Sequence, residues 1–157
     1  MMEWLTWTAV FFHGLGAIVF GGGLVWFALL FATTDPKRDE RDAHFVDQSF
    51  VRIGMLMSVG LTLVIFSGIT RYYIRAGGFS WLADTPADRF LTLKIAVFFL
   101  AWVFWGWFEV VIMHRFRQCV GTSPRPDDYP SARRRVAKAL NIQLVFLMLI
   151  LALGAAA

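Results

Sequence analysis

The sequence is short of the residues from which most soluble catalytic and metal sites are built. It has one cysteine, Cys119, and three histidines in 157 residues. A single thiol excludes an intrachain disulfide, a CxxC redox pair and a CxxCH haem attachment. There is no HExxH pair and no phosphate-binding loop. The "GGG" at 21–23 lies inside an apolar run with no strand before it, so it reads as a place of close helix contact rather than a nucleotide loop. Proline is sparse, and three of the five (Pro124, Pro126 and Pro130) crowd one short segment, "RQCVGTSPRPDDYPSA", which reads as irregular and solvated.

What is abundant is hydrocarbon. Hydrophobic residues make up 58% of the chain, above the roughly half usual in soluble domains. They gather in four blocks, at about 4–32, 50–74, 90–113 and 136–155. An apolar run of roughly 18 residues or more reads as a transmembrane helix, long enough for a hydrocarbon core of about 30 Å. The first block is too long for a signal-peptide core and has no basic stretch before it, so it is read as structure. The expected fold is all-α: a single integral membrane domain over 1–157, a four-helix transmembrane bundle.

The net charge of +4 follows topology rather than marking a nucleic-acid surface. The first and third connections, with their helix edges, carry eleven Lys and Arg; the second, around "GGFSWLADTPADR", carries three, Arg71, Arg75 and Arg89. Positive charge favours the cytoplasmic side. Both termini are therefore expected on the periplasmic side of a bacterial inner membrane. Trp4, Trp7, Tyr72, Tyr73 and Trp81 map to that outer interface, where amphipathic rings settle. The ring-rich "FFLAWVFWGWF" of the third block reads as lipid-facing or packing bulk, or as a wall around a planar cofactor.

Polar side chains inside a span are costly and are functional candidates. His13 lies about 10 Å into the first span and Lys94 about 8 Å into the third, counted from the outer side at 1.5 Å per residue. Ser67 and Met148 fall at a similar level on the outward-running second and fourth spans. His13 is the leading ligand candidate, because neutral imidazole is the commonest metal ligand. Met148 offers a soft second ligand for copper or a haem iron. Lys94 either snorkels to the headgroups or meets the carboxylate of a cofactor or substrate. His44 and His114 sit towards the other face, so a bis-histidine haem within one chain is not expected. Glu109, Arg52 and Gln143 share the inner half and are expected to form a structural polar cluster, with a proton or cation relay as the alternative.

Four stretches in order resemble the CopD-like, copper-resistance-D group of membrane proteins: "FHGLGAIVFGGGLVWFALLF", "SFVRIGMLMSVGLTLVIFSGI", "TPADRFLTLKIAVFFLAW" and "RRRVAKALNIQLVFLMLILAL". The resemblance implies copper handling between periplasm and cytoplasm. The plan is also similar to HemJ-like protoporphyrinogen oxidases, in which a first-helix His and a third-helix Lys serve a haem-dependent reaction; His13 and Lys94 match those positions by placement. The expected function is therefore the binding of a redox-active metal centre, copper or haem b, in the outer half of the bundle, with His13 as the main ligand, Met148 or a partner subunit as the second, and Lys94 beside them to neutralise a propionate or anion. Two alternatives stand beside it. One is oxidation of a porphyrinogen with electrons passed to quinone. The other is a non-catalytic accessory subunit in a larger respiratory or photosynthetic membrane complex, or a homo-oligomer. No catalytic residue is assigned, and the surrounding partner in every case is the lipid bilayer.

Overall fold

The computed structural model describes residues 2–76 and 86–155. Four helices are each long and apolar enough to cross a membrane: Glu3–Thr33, Glu40–Ile74, Arg89–Gly121 and Tyr129–Ala155. There is no strand among the described residues. Trp81 and the rest of 77–85 lie outside the described residues, as does the side chain of Arg75. The connections 34–39 and 122–128 lie at one end of the bundle, here called the loop end; the opposite end carries the two termini.

The helices run further than the apolar blocks, chiefly at the loop end. The second begins at Glu40, not near residue 50. Asp39 caps it, its carboxylate accepting the Asp42 backbone N–H at 3.2 Å, and Glu40 and Asp42 suit the positive end of the helix dipole. The third helix continues to Gly121, and the fourth starts at Tyr129 with Pro130 in its first turn, where a missing N–H costs nothing. These added turns are amphipathic rather than apolar. Ala43, Val46, Asp47 and Phe50 are buried at i, i+3, i+4, i+7 spacing, as are Tyr129, Ala132, Arg133 and Val136. The sequence segments read as loops thus shrink to short turns, and Cys119 is buried at the foot of the third helix rather than free in a loop.

The first and second helices cross where Gly16 meets Gly60. A Cβ built on Gly16 would fall 2.5 Å from the Gly60 carbonyl oxygen, and one on Gly60 would fall 2.9 Å from Val19 Cγ1. Only hydrogen fits at either position, and dispersion between two close backbones replaces the hydrophobic drive that lipid does not supply. Beside this crossing the first helix opens into a wide π turn, Ile18–Gly22, and the third does the same at Phe108–Met113. The core of the loop half is a run of edge-to-face and tilted rings: Phe20 to Trp105 at 5.2 Å, Trp105 to Phe108 at 5.0 Å, Phe108 to Phe50 at 6.3 Å and Phe50 to Phe31 at 5.4 Å. Such pairs add to the dispersion gained on burial. Phe99, Leu100, Trp102, Val103, Trp107 and Val110 point outward from the third helix. An apolar belt of that extent would be an aggregation surface in water and is at home against acyl chains.

Candidate functional site

His13 sits half-buried on the first helix, facing the second. Its Nδ1 lies 3.1 Å from the Val64 carbonyl oxygen and 3.2 Å from Ser67 Oγ. A carbonyl can only accept, so in the neutral ring Nδ1 carries the proton and donates it to Val64. That assignment leaves the lone pair on Nε2, which has no hydrogen-bond partner among the described residues. The ring is held by its neighbours as well: a Cβ on Gly68 would fall 3.4 Å from His13 Cε1 and 3.6 Å from Nδ1, so this side of the imidazole lies against the glycine. A ring fixed through a backbone carbonyl, with its other nitrogen unengaged, is how proteins orient histidine ligands.

The ring opens onto a cavity of about 600 Å³ at the termini end, to which all four helices contribute. That volume falls within the usual range for small-molecule and cofactor sites. The walls are mainly apolar, among them Val10, Ile65, Ile95 and Phe98; the charged groups are Arg71 and Lys94. Lys94 reaches the last turn of the fourth helix, where a Cβ on Gly154 would fall 2.7 Å from its Nζ. An ammonium at a helix C-terminus is favoured by the helix dipole, so this lysine has a local reason for its place as well as a view of the cavity. No carboxylate and no thioether lines the cavity among the described residues. It is a positively charged, apolar-walled space with one imidazole.

The structure therefore brings His13, Lys94 and Ser67 together and leaves Met148 apart. Met148 is 65% exposed on the outer side of the fourth helix, turned away from Leu147 and Ile150, which pack inward. A second ligand for His13 does not come from this methionine. Arg71, which the sequence shows only as a cation at the edge of the second connection, lines the cavity from the second helix, one turn beyond Ser67.

The polar cluster of the inner half takes a different form from Arg52, Glu109 and Gln143. Arg52 is exposed and makes no ion pair among the described residues. Glu109, inside the wide turn of the third helix, pairs instead with Arg117 at 2.7 Å and accepts a bond from Ser58 at 3.4 Å. Ser58 in turn accepts the Trp105 indole N–H at 2.8 Å. Gln143 is separate from them: it donates to the Ala101 carbonyl at 3.0 Å, and its Oε1 is buried without a partner. The buried ion pair of the molecule lies nearer the loop end. Arg133 Nε meets Asp47 Oδ1 at 3.1 Å with the carboxylate fully buried, and the Tyr129 hydroxyl donates to the other carboxylate oxygen. The signal for it in the sequence is the burial spacing of Asp47 with Ala43, Val46 and Phe50.

The described residues hold no group of three or more His, Cys, Asp or Glu side chains able to cage a metal ion. Among known proteins, the family model described as copper resistance protein D matches residues 47–157, the second to fourth helices. No curated protein and no solved structure matches the chain. The matched stretch contains Lys94 and Arg71 and stops short of the first helix, so His13 stands on the geometry described above. A match over more than two thirds of the sequence, on a frame of four membrane-length helices, shows that this multi-pass membrane chain belongs to the copper resistance protein D family.

Proposed function

We propose that the protein binds a redox-active metal centre in the termini-end cavity, with His13 Nε2 as its protein ligand, and serves copper handling or membrane electron transfer. The observation that carries this reading is the contact of His13 Nδ1 with the Val64 carbonyl, an acceptor, which leaves Nε2 for a ligand beside a cavity of about 600 Å³. The surroundings restrict the kind of centre. A bare copper ion would find one nitrogen, no sulfur and two cations in the described lining, so copper fits here as a cargo whose other ligands arrive with it. A haem b brings its own equatorial nitrogens and carboxylates, and fits one imidazole with two cations better. When bound, such a centre supplies one-electron exchange. Lys94 and Arg71 hold its anionic groups, Val64 and Ser67 hold the imidazole, and the apolar walls exclude water. The imbalance of basic residues supports a periplasmic position for this end of the bundle in a bacterial inner membrane.

The test is an absorption spectrum of the protein purified from native membranes, oxidised and then reduced with dithionite, with elemental analysis for copper and iron. A Soret band, or bound copper, that is lost in His13→Ala at unchanged helicity is the expected result. A wild-type protein with neither would end the reading. A second reading is favoured by one observation, the placing of His13 and Lys94 in the same cavity. It is a haem-dependent oxidation of a porphyrinogen, with quinone taking the electrons. Complementation of a strain lacking that oxidase separates the two: rescue supports the enzyme, and failure at normal membrane levels leaves the binding function.

A further inference from the structure

At the loop end a second groove, of about 460 Å³, opens between the 34–39 connection and the start of the fourth helix. Its charged lining is Lys37, Arg125, Arg133 and Arg134 against Asp35 and Glu40, a surplus of positive charge. Arg133 forms the floor. Its Nε is used by Asp47 at 3.1 Å, its Nη1 by the Thr34 carbonyl at 3.0 Å, and its guanidinium lies 4.8 Å from the centre of the Phe31 ring. Its third nitrogen, Nη2, is buried with no partner, on a side chain only 8% exposed. Asp47 makes no bond to it: Oδ1 accepts from Arg133 Nε and Oδ2 from the Tyr129 hydroxyl.

The remaining cations are unspent as well. Lys37, Arg125 and Arg134 make no ion pair among the described residues. Arg125 is stacked 4.4 Å over the Tyr129 ring, which holds its charge at the rim. Asp35 is turned to its own connection, where it accepts the Lys37 backbone N–H at 2.9 Å and faces Arg38 at 3.8 Å. A groove whose rim carries Lys37, Arg125 and Arg134, with the under-bonded guanidinium of Arg133 beneath them, calls for an anion with several acceptor oxygens, and the planar fork of arginine matches phosphate geometry. The first turn of the fourth helix adds backbone N–H dipoles of the same sign. The groove also lies at the loop-end limits of the first and fourth membrane-length helices, the level at which basic pockets between membrane helices recognise anionic lipids.

We propose that this groove is a binding site for a phosphate group, presented by an anionic lipid headgroup or by free phosphate. The site is independent of the cavity at the other end. The test uses the full chain, stripped of lipid in an uncharged detergent, with native mass spectrometry and thermal unfolding as readouts. The probes are phosphatidylglycerol, phosphatidylcholine and inorganic phosphate. Phosphatidylglycerol should remain bound and raise the unfolding temperature, with phosphatidylcholine weaker. The double variant Lys37→Gln/Arg134→Gln, at two exposed positions, should bind phosphatidylglycerol roughly 25-fold more weakly, about fivefold for each cation removed. Arg41→Gln/Arg135→Gln, an equal loss of charge at exposed positions outside the groove, should bind as wild type. If inorganic phosphate alone gives the same stabilisation, and the groove variant abolishes it, free phosphate is the source; stabilisation by the lipid only makes it the headgroup. Equal loss in the two double variants, or no loss in the groove variant, overturns the site.

Discussion

The residue that the sequence disguised most thoroughly is Asp47. It stands in "RDERDAHFVDQS", a run so charged that it reads as a solvated turn. Charge density hid a helical face: positions 43, 46, 47 and 50 are all buried, and one of them is an acid that needs Arg133 from 86 residues further on. Nothing local in the chain announces a partner at that distance. Removing one member of such a pair leaves an uncompensated buried charge, so Asp47→Ala should destabilise the detergent-solubilised protein by about 3–5 kcal/mol. Asp47→Leu/Arg133→Met, which removes both charges, should recover most of that loss. Thermal or denaturant unfolding of the three proteins measures it; equal stability of Asp47→Ala and wild type would show that the pair is not buried in the membrane-bound fold. His13 is the opposite case. Its isolation among apolar residues marked it at once, whereas the Val64 carbonyl that fixes its tautomer belongs to another helix and is invisible in sequence.

At the scale of the helix, the four apolar blocks were readable because hydrocarbon length and hydropathy fix them directly. The amphipathic extensions at the loop end were not, since charged and polar residues break up their apolar faces. Glycine was readable only as a class. Gly14, Gly16 and Gly22 look alike in "HGLGAIVFGGG", yet Gly14 and Gly22 have open space where a side chain would stand and Gly16 has a carbonyl oxygen. Gly14→Ala should leave stability unchanged or raise it by about 0.5–1 kcal/mol through the lost freedom of the unfolded chain. Gly16→Ala should lower it by about 1–3 kcal/mol, because the two backbones must separate. Unfolding of the pair in the same detergent checks this, and a harmless Gly16→Ala would mean the helices cross elsewhere. The wide turn at Ile18–Gly22 adds a residue just past that crossing. A regular 3.6-residue reading of the first helix therefore drifts out of phase there. It would bury Ala17 along with Gly16, Phe20 and Leu24, whereas Ala17 is exposed. Wide turns of this kind recur at functional sites, and the other one carries Glu109.

For the molecule as a whole, fold class follows from composition alone, since four hydrocarbon-length helices leave few alternatives. Sidedness rests on eleven basic residues against three. The expectation is that a reporter active only outside the cytoplasm works when fused after Ala157 and fails when inserted between Pro126 and Asp127; the reverse pattern would invert the bundle and move the cavity to the cytoplasmic face. The ion pair of Asp47 and Arg133, the Phe31 and Phe50 rings and the Arg117–Glu109 bridge all lie towards one end of the bundle, and the hollow lies at the other. Under the proposed binding function, the half of the bundle that is clamped and the half that is hollow are separate, so a guest seated in the hollow would replace none of the ion pairs or ring contacts that hold the helices together at the other end.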